Sequence, residues 1–461
     1  MITISNVITI DKPSPELLTW CQQNLKLRNP EYDTKLRMHF YLGKTPQYLY
    51  LYEMHGGKLV LPFGTLRNVF HLLNNDDIKM AFKPAERVDY NCNIPLYDYQ
   101  QEAVENVYWK RYGILQSAAG SGKTQMGIAL IAKLGKRALW VCHTKDLLTQ
   151  SMQRAEQYMD KSLFGTITGG KVSIGEGITF ATVQTLCNIN LPQYKDMWDV
   201  IIVDECHRVA GSPTSVSQYY KVLNSLAARH KYGLTATPHR ADHLIKATFA
   251  LIGDVIYEVQ REVVADKIMQ VSICPVPTGI RASRECLNSD GTLNYPKMLR
   301  YLTTSEYRNR LIVENIAADR DKPGLILSDR LEHLETLMSM LPADMREDAV
   351  MVSGSMVTKL EKAAREQALV DMRSGAKKYL FATYPLAKEG LDIPCLERLY
   401  MATPQKDYAV ITQSIGRIAR TSSGKADPVC YDFVDDIPQL VKAYNKRCTT
   451  YRKNGCRFVE R

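Results

Sequence analysis

Metal-binding and crosslinking signatures are missing from this sequence. Its eleven cysteines stand singly, with no C-x-x-C pair and no Cys/His cluster at zinc spacing. A structural zinc site and a disulfide framework are therefore excluded, and the thiols are expected to be reduced. No run approaches the roughly eighteen apolar residues of a membrane span. The opening MITISNVITIDKPSPELL has no basic stretch followed by an apolar one, so it does not read as a signal peptide, and a cytoplasmic location is expected. Low-complexity tracts, short-period repeats and heptads are absent too, which removes solenoids and coiled-coil assembly and leaves a monomer as the default.

What is present is an ordinary globular composition, 45% apolar and 23% charged over 461 residues, enough for about three domains. The formal charge of +10 fits a polyanionic partner, although solubility alone would also account for it. The last twenty residues, KAYNKRCTTYRKNGCRFVER, hold seven Lys/Arg against one acid, interleaved with Tyr444, Tyr451 and Phe458. Such a mix suits base stacking with phosphate neutralisation, and it equally suits an amphipathic helix with a solvated basic face.

Along the chain, residues 1–90 carry the aromatic, strand-like runs "HFYLG" and "YLYLYEM", a turn-like "HGGK" and a short helical "LRNVFHLL". They predict a small α+β accessory domain. From 91 to 262, the short apolar runs "GILQS", "ALWVC", "ITFAT", "DVIIVDE" and "YGLTAT" alternate with helix-length amphipathic stretches, which predicts a parallel sheet with crossover helices. The Pro/Gly-punctuated segment 263–300 reads as a connector. The alternation resumes over 301–461 with "GLILS", "AVMVSG", "YLFATY", "RLYMAT" and "VCYDF". The fold class expected is therefore α/β, with two tandem parallel-sheet domains behind a small N-terminal one.

The first α/β unit carries "SAAGSGKT", residues 117–124, after a predicted strand and at the opening of a helix. The N–H groups of such a loop wrap phosphates, and the helix N-terminus adds partial positive charge. Gly120 and Gly122 let the backbone approach, Lys123 would reach the β/γ-phosphates, and the hydroxyl of Thr124 would ligate Mg²⁺. Ser117 stands where such loops usually begin with glycine. "VIIVDECH", residues 200–207, ends a buried strand in two carboxylates, a costly arrangement unless a cation waits there. Asp204 could hold Mg²⁺ through water and Glu205 could polarise the attacking water. Gln100, about twenty residues before the loop, could read an adenine edge, or it could sit on a helix surface.

The second unit has no phosphate loop but contains "QSIGRIAR", residues 413–420. Arg417 and Arg420, three apart, would share one helix face behind Gln413 and would want an anion. The expected anion is the γ-phosphate held by the first unit, across a cleft. An arginine finger of that kind is worth roughly 10³–10⁵ in rate. "FATYPLAKEGLDIP" places Thr383, Gly390 and Asp392 at a strand end and loop suited to phosphate contact.

Taken in order, GSGKT, DECH, "LTATPHR", "ATYPLAKEGLDIP" and "QSIGRIAR" resemble the motifs of the superfamily 2 helicases over about residues 95–435. "HTKDLLTQ", "TGG" and "TVQTL" look like the intervening nucleic-acid motifs. The stretch from 413 onward is similar to the DNA-directed branch with the phage UvsW-like branch-migration helicases and the XPB-like translocases. The stretches "NLKLRNPEY" and "LYLYEMHGGKLVLPFGTL" also look like the small N-terminal domain of these helicases. The resemblance implies two RecA-like domains behind an N-terminal DNA-binding accessory domain over residues 1–90, and the cofactors ATP and Mg²⁺. It implies nucleotide contacts by Gln100, Gly120, Ser121, Gly122, Lys123, Thr124, Gly390 and Asp392, with Asp392 on the ribose. It makes Lys123, Asp204, Glu205, Gln413, Arg417 and Arg420 catalytic, with His207, Thr235 and Thr237 coupling hydrolysis to strand grip. His143 stands where proline is common in the first nucleic-acid motif.

Thr144, Gly169, Thr182, Gln184, Ser328, Gly354 and Thr383 are candidate backbone grippers, each equally readable as a cap or turn residue. The function expected is ATP-dependent remodelling of branched DNA in recombination, replication and repair, in a bacterial host's cytoplasm if the source is a phage. A duplex translocase without strand separation, an RNA-remodelling ATPase and an ATP-gated binding module are the alternatives.

Overall fold

The computed structural model describes all residues except 74–77, 84–85, 119, 237–243, 261–262, 264–267, 355, 357, 389–390, 392, 423, 426 and 461, and describes residues 359, 387 and 388 by backbone alone. The chain divides into two contact units, one of Met1–Ala118 with Gly122–Val263 and one of Ala119–Ser121 with Val264–Arg461.

The opening "ITISNVITI" alternates isoleucine with small polar residues, and that period of two makes a hairpin of β1 (Ile2–Ile4) and β2 (Val7–Asp11). Ser5 N–H donates to Val7 O across the turn, and Ile2, Ile4, Ile8 and Ile10 all face the core. After the short ribbon of β3 (Lys26–Arg28) and β4 (Tyr48–Tyr50) come β5 (Glu53–His55), β6 (Lys58–Pro62) and β7 (Ile78–Met80). They complete a five-stranded sheet in the order β5-β6-β2-β1-β7. "HFYLG" is not a strand. The helix Pro30–Arg37 runs up to it, Phe40 N–H returns to Lys35 O, His39 takes a left-handed φ of 55°, and Phe40 and Tyr41 stay exposed.

This small sheet shares a hydrophobic core with the helix Ile245–Ile252, through Leu59, Leu61, Phe63 and Val69 on one side and Ala247 and Ala250 on the other. Gly64 is where the two parts meet most closely: a Cβ there would lie 2.6 Å from Ala250 O and from Gly253 N. Lys231, 1% exposed, donates to Leu223 O at 2.7 Å and to Asn6 O at 3.3 Å, so a buried ammonium ties the β1–β2 turn to the larger sheet.

That larger sheet has eight strands: β8 (Tyr112–Gln116), β9 (Ala138–Cys142), β10 (Phe164–Thr168), β11 (Lys171–Ser173), β12 (Ile178–Thr182), β13 (Val200–Val203), β14 (His230–Thr235) and β15 (Val255–Glu258). The order is β11-β10-β12-β9-β13-β14-β8-β15, and only β11 runs antiparallel to its neighbour. Strands β9, β12 and β13 are buried along their whole length, as continuous apolar runs in a sheet covered on both faces should be. Because the strands are parallel, the residues that follow β8, β9, β12, β13 and β14 emerge along one edge.

The second unit holds a seven-stranded, all-parallel sheet in the order β18-β19-β17-β20-β21-β16-β22. Its strands are β16 (Ser272–Arg281), β17 (Gly324–Ser328), β18 (Ala349–Val352), β19 (Tyr379–Thr383), β20 (Arg398–Met401), β21 (Val429–Asp436) and β22 (Arg457–Phe458). The stretch read as a connector thus contains a strand. Beyond Ile273, β16 has no neighbour on its β22 side among the described residues, and Pro275 and Pro277 share the parity of Val271 and Ile273, whose carbonyls face β22. Their missing N–H groups therefore point to an unpaired edge, where proline is tolerated.

In the basic C-terminal segment, the helix Pro438–Lys453 turns part of its charge inward: Arg447 forks onto Asp432 at 2.7 and 2.9 Å, and Tyr451 OH donates to the same carboxylate. Arg447 and Tyr451 belong to the interior rather than to a stacking surface. Among the described residues no helix is long and apolar enough to cross a membrane.

Candidate functional site

The edge where the parallel strands of the first unit end gathers the residues singled out there. The chain leaves β8 at Gln116 and turns into the helix Lys123–Leu134. Gly120 at φ 87° and Gly122 at φ 81° hold the left-handed conformations that the turn requires. Lys123 is 8% exposed and its Nζ donates to Ser117 O at 3.3 Å and Ala118 O at 3.2 Å. The ammonium is thus bound to neutral carbonyls of its own loop, from which an anion could draw it. Thr124 follows on the first turn.

Gln100 is buried, not on a helix surface. Its Oε1 accepts from Tyr97 N–H at 3.0 Å, and a Cβ on Gly122 would fall 2.4 Å from its Nε2. The amide therefore packs against the mouth of the glycine loop.

Asp204, 5% exposed, ends β13 and accepts from Ser151 Oγ at 3.1 Å. Burial, then the neighbouring charge of Glu205, holds its carboxyl well above the usual carboxylate range, against the pull of Lys123 and Ser151. Glu205 takes a left-handed φ of 45°, a strained position for a residue with a Cβ. Nδ1 of His207 lies 3.2 Å from Glu205 Oε2 and 3.0 Å from Thr235 Oγ1 at the end of β14.

Two adjacent carboxylates, Asp204 buried and Glu205 half-buried, with Lys123 beside them form a site short of positive charge. A divalent cation fits that deficit. No group of three or more His, Cys, Asp or Glu stands ready to cage a metal among the described residues. An ion there would rest on Asp204, Thr124 and oxygens of its ligand, an all-oxygen donor set that suits Mg²⁺.

The loop candidates of this unit sit along the same edge or at its turns. Thr144 caps the helix Lys145–Ala155, its Oγ1 accepting from Leu147 N–H at 3.4 Å, and Thr182 Oγ1 meets Thr185 Oγ1 at 2.9 Å. Gln184 is half-buried beside it, and Gly169 lies in the exposed β10–β11 turn with φ 58°. His143 stacks on Tyr219, with ring centroids 6.4 Å apart.

In the second unit, Gln413 is buried on the helix Tyr408–Ile418. Arg417 Nη1 donates to Leu391 O at 3.0 Å. Arg420 does not share its helix face, because the helix ends at Ile418 and Arg420 pairs with Ile268 in an antiparallel bridge, with Met269 N–H on Ala419 O at 2.7 Å. Ser328 is fully buried and its hydroxyl is engaged with His333 Nδ1 and Arg330 N–H, while Gly354 is exposed and Thr383 half-buried. Thr237, Gly390 and Asp392 lie outside the described residues.

Sequence reasoning missed Ser151 and Tyr219. Ser151 had a signal: it interrupts the buried stripe Leu148–Ser151–Ala155 of an amphipathic helix with a polar atom.

Comparison with known proteins agrees with this geometry. Residues 93–240 match the family described as type III restriction enzyme, res subunit, and residues 307–422 match the helicase conserved C-terminal domain. A protein of Acanthamoeba polyphaga mimivirus named as an ATP-dependent RNA helicase, L396, is 27% identical over 344 residues, covering 74% of this chain and 63% of its own length. The DNA 3'-5' translocase XPB2 of Sulfurisphaera tokodaii is 32% identical over 175 residues, 38% of each chain. The crystal structure of T4 UvsW aligns over 100% of this chain and 99% of its own at 17% identity, with a TM-score of 0.42. The chain therefore spans less than two thirds of the mimivirus relative and well under half of XPB2. It belongs to the superfamily 2 helicases, a family of ATPases.

Proposed function

We propose that this chain is an ATP-driven motor that remodels branched DNA, regressing forks, migrating junctions and displacing paired strands. The observation that carries the reading is the convergence of Lys123, Asp204, Glu205 and the His207–Thr235 contact on one sheet edge, beside the loops that end in Thr144 and Thr182. Hydrolysis and strand grip then have one rigid scaffold.

In this reading Gly120, Ser121 and Gly122 wrap the phosphates, and Lys123 leaves its carbonyls for the β/γ oxygens. Gln100 faces the adenine end. Asp204 and Thr124 hold Mg²⁺, which supplies charge neutralisation at the phosphate oxygens. Glu205 orients and polarises the attacking water. His207, Thr235 and Thr237 pass the state of that carboxylate to the neighbouring strand ends. Asp392 contacts the ribose, with Gly390 on the same loop beside the nucleotide, and Gln413, Arg417 and Arg420 neutralise charge at the γ-phosphate. Thr144, Gly169, Thr182, Gln184, Gly354 and Thr383 are the proposed contacts to the nucleic-acid backbone, a grip that is sequence-independent and salt-sensitive, whereas Ser328, fully buried with its hydroxyl on His333 and Arg330, is withdrawn from that set.

The DNA assignment draws support from the motif order and from XPB2, which is named as a DNA translocase. A second reading, RNA remodelling, draws support from the mimivirus relative named as an RNA helicase. One panel separates them. ATPase stimulation by single-stranded DNA, duplex DNA and RNA, with unwinding of a synthetic four-way junction and of linear duplex at stated salt, should favour DNA and the junction. Stimulation by RNA alone would reject the DNA reading. Equal unwinding of plain duplex would remove the branch preference, and displacement of a triplex strand without unwinding would make the chain a duplex translocase.

A further inference from the structure

The β3–β4 ribbon is antiparallel, pairing Lys26 with Tyr50 and Arg28 with Tyr48. Alternation sends Leu27 into the core and leaves Lys26, Arg28, Tyr48 and Tyr50 together on the solvent face. Lys26 Nζ sits 4.2 Å from the centre of the Tyr48 ring and 5.8 Å from that of Tyr50, and the Arg28 guanidinium is 5.2 Å from Tyr48. Tyr50 nevertheless remains 53% exposed.

The loop that joins the ribbon's strands continues the pattern. Residues 36–41, Leu-Arg-Met-His-Phe-Tyr, are all exposed, Phe40 by 62% and Tyr41 by 91%. The loop is tied down rather than trailing: Asn29 Nδ2 donates to Pro46 O at 2.7 Å and Lys35 Nζ to Thr45 Oγ1 at 2.7 Å. Leaving this much aromatic surface in water on a fixed scaffold costs free energy unless something covers it.

The charge says what kind of cover fits. Between residues 26 and 50 there are five Lys/Arg and two acids. Asp33 pairs with Arg28 and Glu31 with Lys35, so Lys26 and Lys44 have no carboxylate at ion-pair distance among the described residues, and Arg37 has only the longer-range charge of Asp33, which Arg28 already holds. Protein-binding surfaces also use aromatics, but they are depleted in lysine. Aromatics set among cations match a polyanion with flat bases.

We propose that this face is a stacking platform for single-stranded nucleic acid, with Tyr50, Phe40 and Tyr41 meeting bases and Lys26 and Arg37 meeting phosphates. The proposal rests on the nucleic-acid reading above and adds a specific surface to it, far in sequence from the motor motifs. A motor that separates strands must hold one of them apart from its former partner, and a platform that accepts only unpaired bases does so without sequence preference.

The test uses the full chain without nucleotide and oligonucleotides, DNA and RNA in separate arms, that carry 2-aminopurine or an end label. Phe40→Ser with Tyr41→Ser, and separately Tyr50→Ser, should weaken single-strand binding roughly ten-fold each and abolish the change in 2-aminopurine emission. Lys26→Gln with Arg37→Gln should lower the salt slope by about one to two. Thermal unfolding and ATPase activity without nucleic acid should match the parent protein. If the parent binds single strands and these variants bind as tightly, with unchanged emission, the platform is refuted and the face is left to a protein partner. If the parent binds no nucleic acid at all, the motor reading fails as well.

Discussion

The hydroxyl of Ser151 donates a 3.1 Å hydrogen bond to Oδ2 of Asp204, and both residues are buried. Ser151 rides on the helix that Thr144 caps, so one rigid element joins a proposed strand contact to the proposed metal carboxylate. The bond favours the ionised form of a carboxyl that burial and Glu205 push up to about 6. Only the ionised form holds Mg²⁺, so protons compete with the metal as pH falls toward 6. Ser151→Ala moves that competition to higher pH. The Mg²⁺ concentration for half-maximal ATPase should rise several-fold, more at pH 6 than at pH 8, with little loss of thermal stability. Superimposable Mg²⁺ curves at both pH values would remove Ser151 from the site.

The His207–Thr235 contact predicts an uncoupled motor. Thr235→Val keeps the shape of the end of β14 but withdraws the oxygen 3.0 Å from His207 Nδ1. ATP hydrolysis stimulated by DNA should fall only a few-fold, while strand displacement per ATP falls ten-fold or more. A proportional loss of both in a strand-displacement assay would assign Thr235 to catalysis instead.

Lys123 and Arg420 should separate binding from turnover. Lys123→Ala should abolish turnover and weaken ATP binding. Arg420→Ala should bind nucleotide nearly as well as the parent while turnover drops by roughly 10³ or more. Fluorescent-nucleotide titration beside steady-state ATPase reads both, and strongly impaired binding in Arg420→Ala would refute its role as a finger.

Gly64 predicts a stability effect away from any chemistry. A methyl group there would press 2.6 Å from Ala250 O and Gly253 N, backbone atoms that cannot step aside. Gly64→Ala should cost about 1–3 kcal/mol, read as a lower urea midpoint. An unchanged midpoint would show that the small sheet and the helix Ile245–Ile252 can separate without cost.

Lys231 predicts a pH slope. Burial drives its ammonium down to about 7 from an ordinary 10.5. In the unfolded chain the proton stays on up to the ordinary value, so folding releases a proton between the two values and stability climbs with pH across that window. Below pH 7 both states are charged and the cost is constant. The urea midpoint should rise from pH 7 to pH 9 by the equivalent of roughly 2 kcal/mol, and Lys231→Met should lose that rise. Parallel slopes in the two proteins would show that the buried amine does not titrate there.

Much of the fold was legible because buried parallel strands have no polar face to disguise them: "ALWVC", "ITFAT" and "VIIV" could only be interior strands, and β9, β12 and β13 are. The phosphate loop was legible because Gly120 and Gly122 meet a steric demand that few other sequences meet. Long-range packing was not. Nothing in "HFYLG" says that the preceding helix claims its backbone, and nothing in "PFGTL" says which helix its glycine will touch. Arg420 was misplaced because spacing alone cannot show that a helix stops two residues earlier. Ser151 was hidden because a lone serine is informative only once the face it occupies is known to be buried.

The seam at Gly64 also bears on how the chain can be cut. Phe63, Leu59 and Leu61 insulate Ala247, Ala250 and the ring of Tyr112 from water. A version trimmed to its catalytic lobes would carry that greasy scar on its outside. The leading sheet is thus less an attachment than an outer wall of the larger sheet's packing, and removing its first ninety codons should leave that wall open to water.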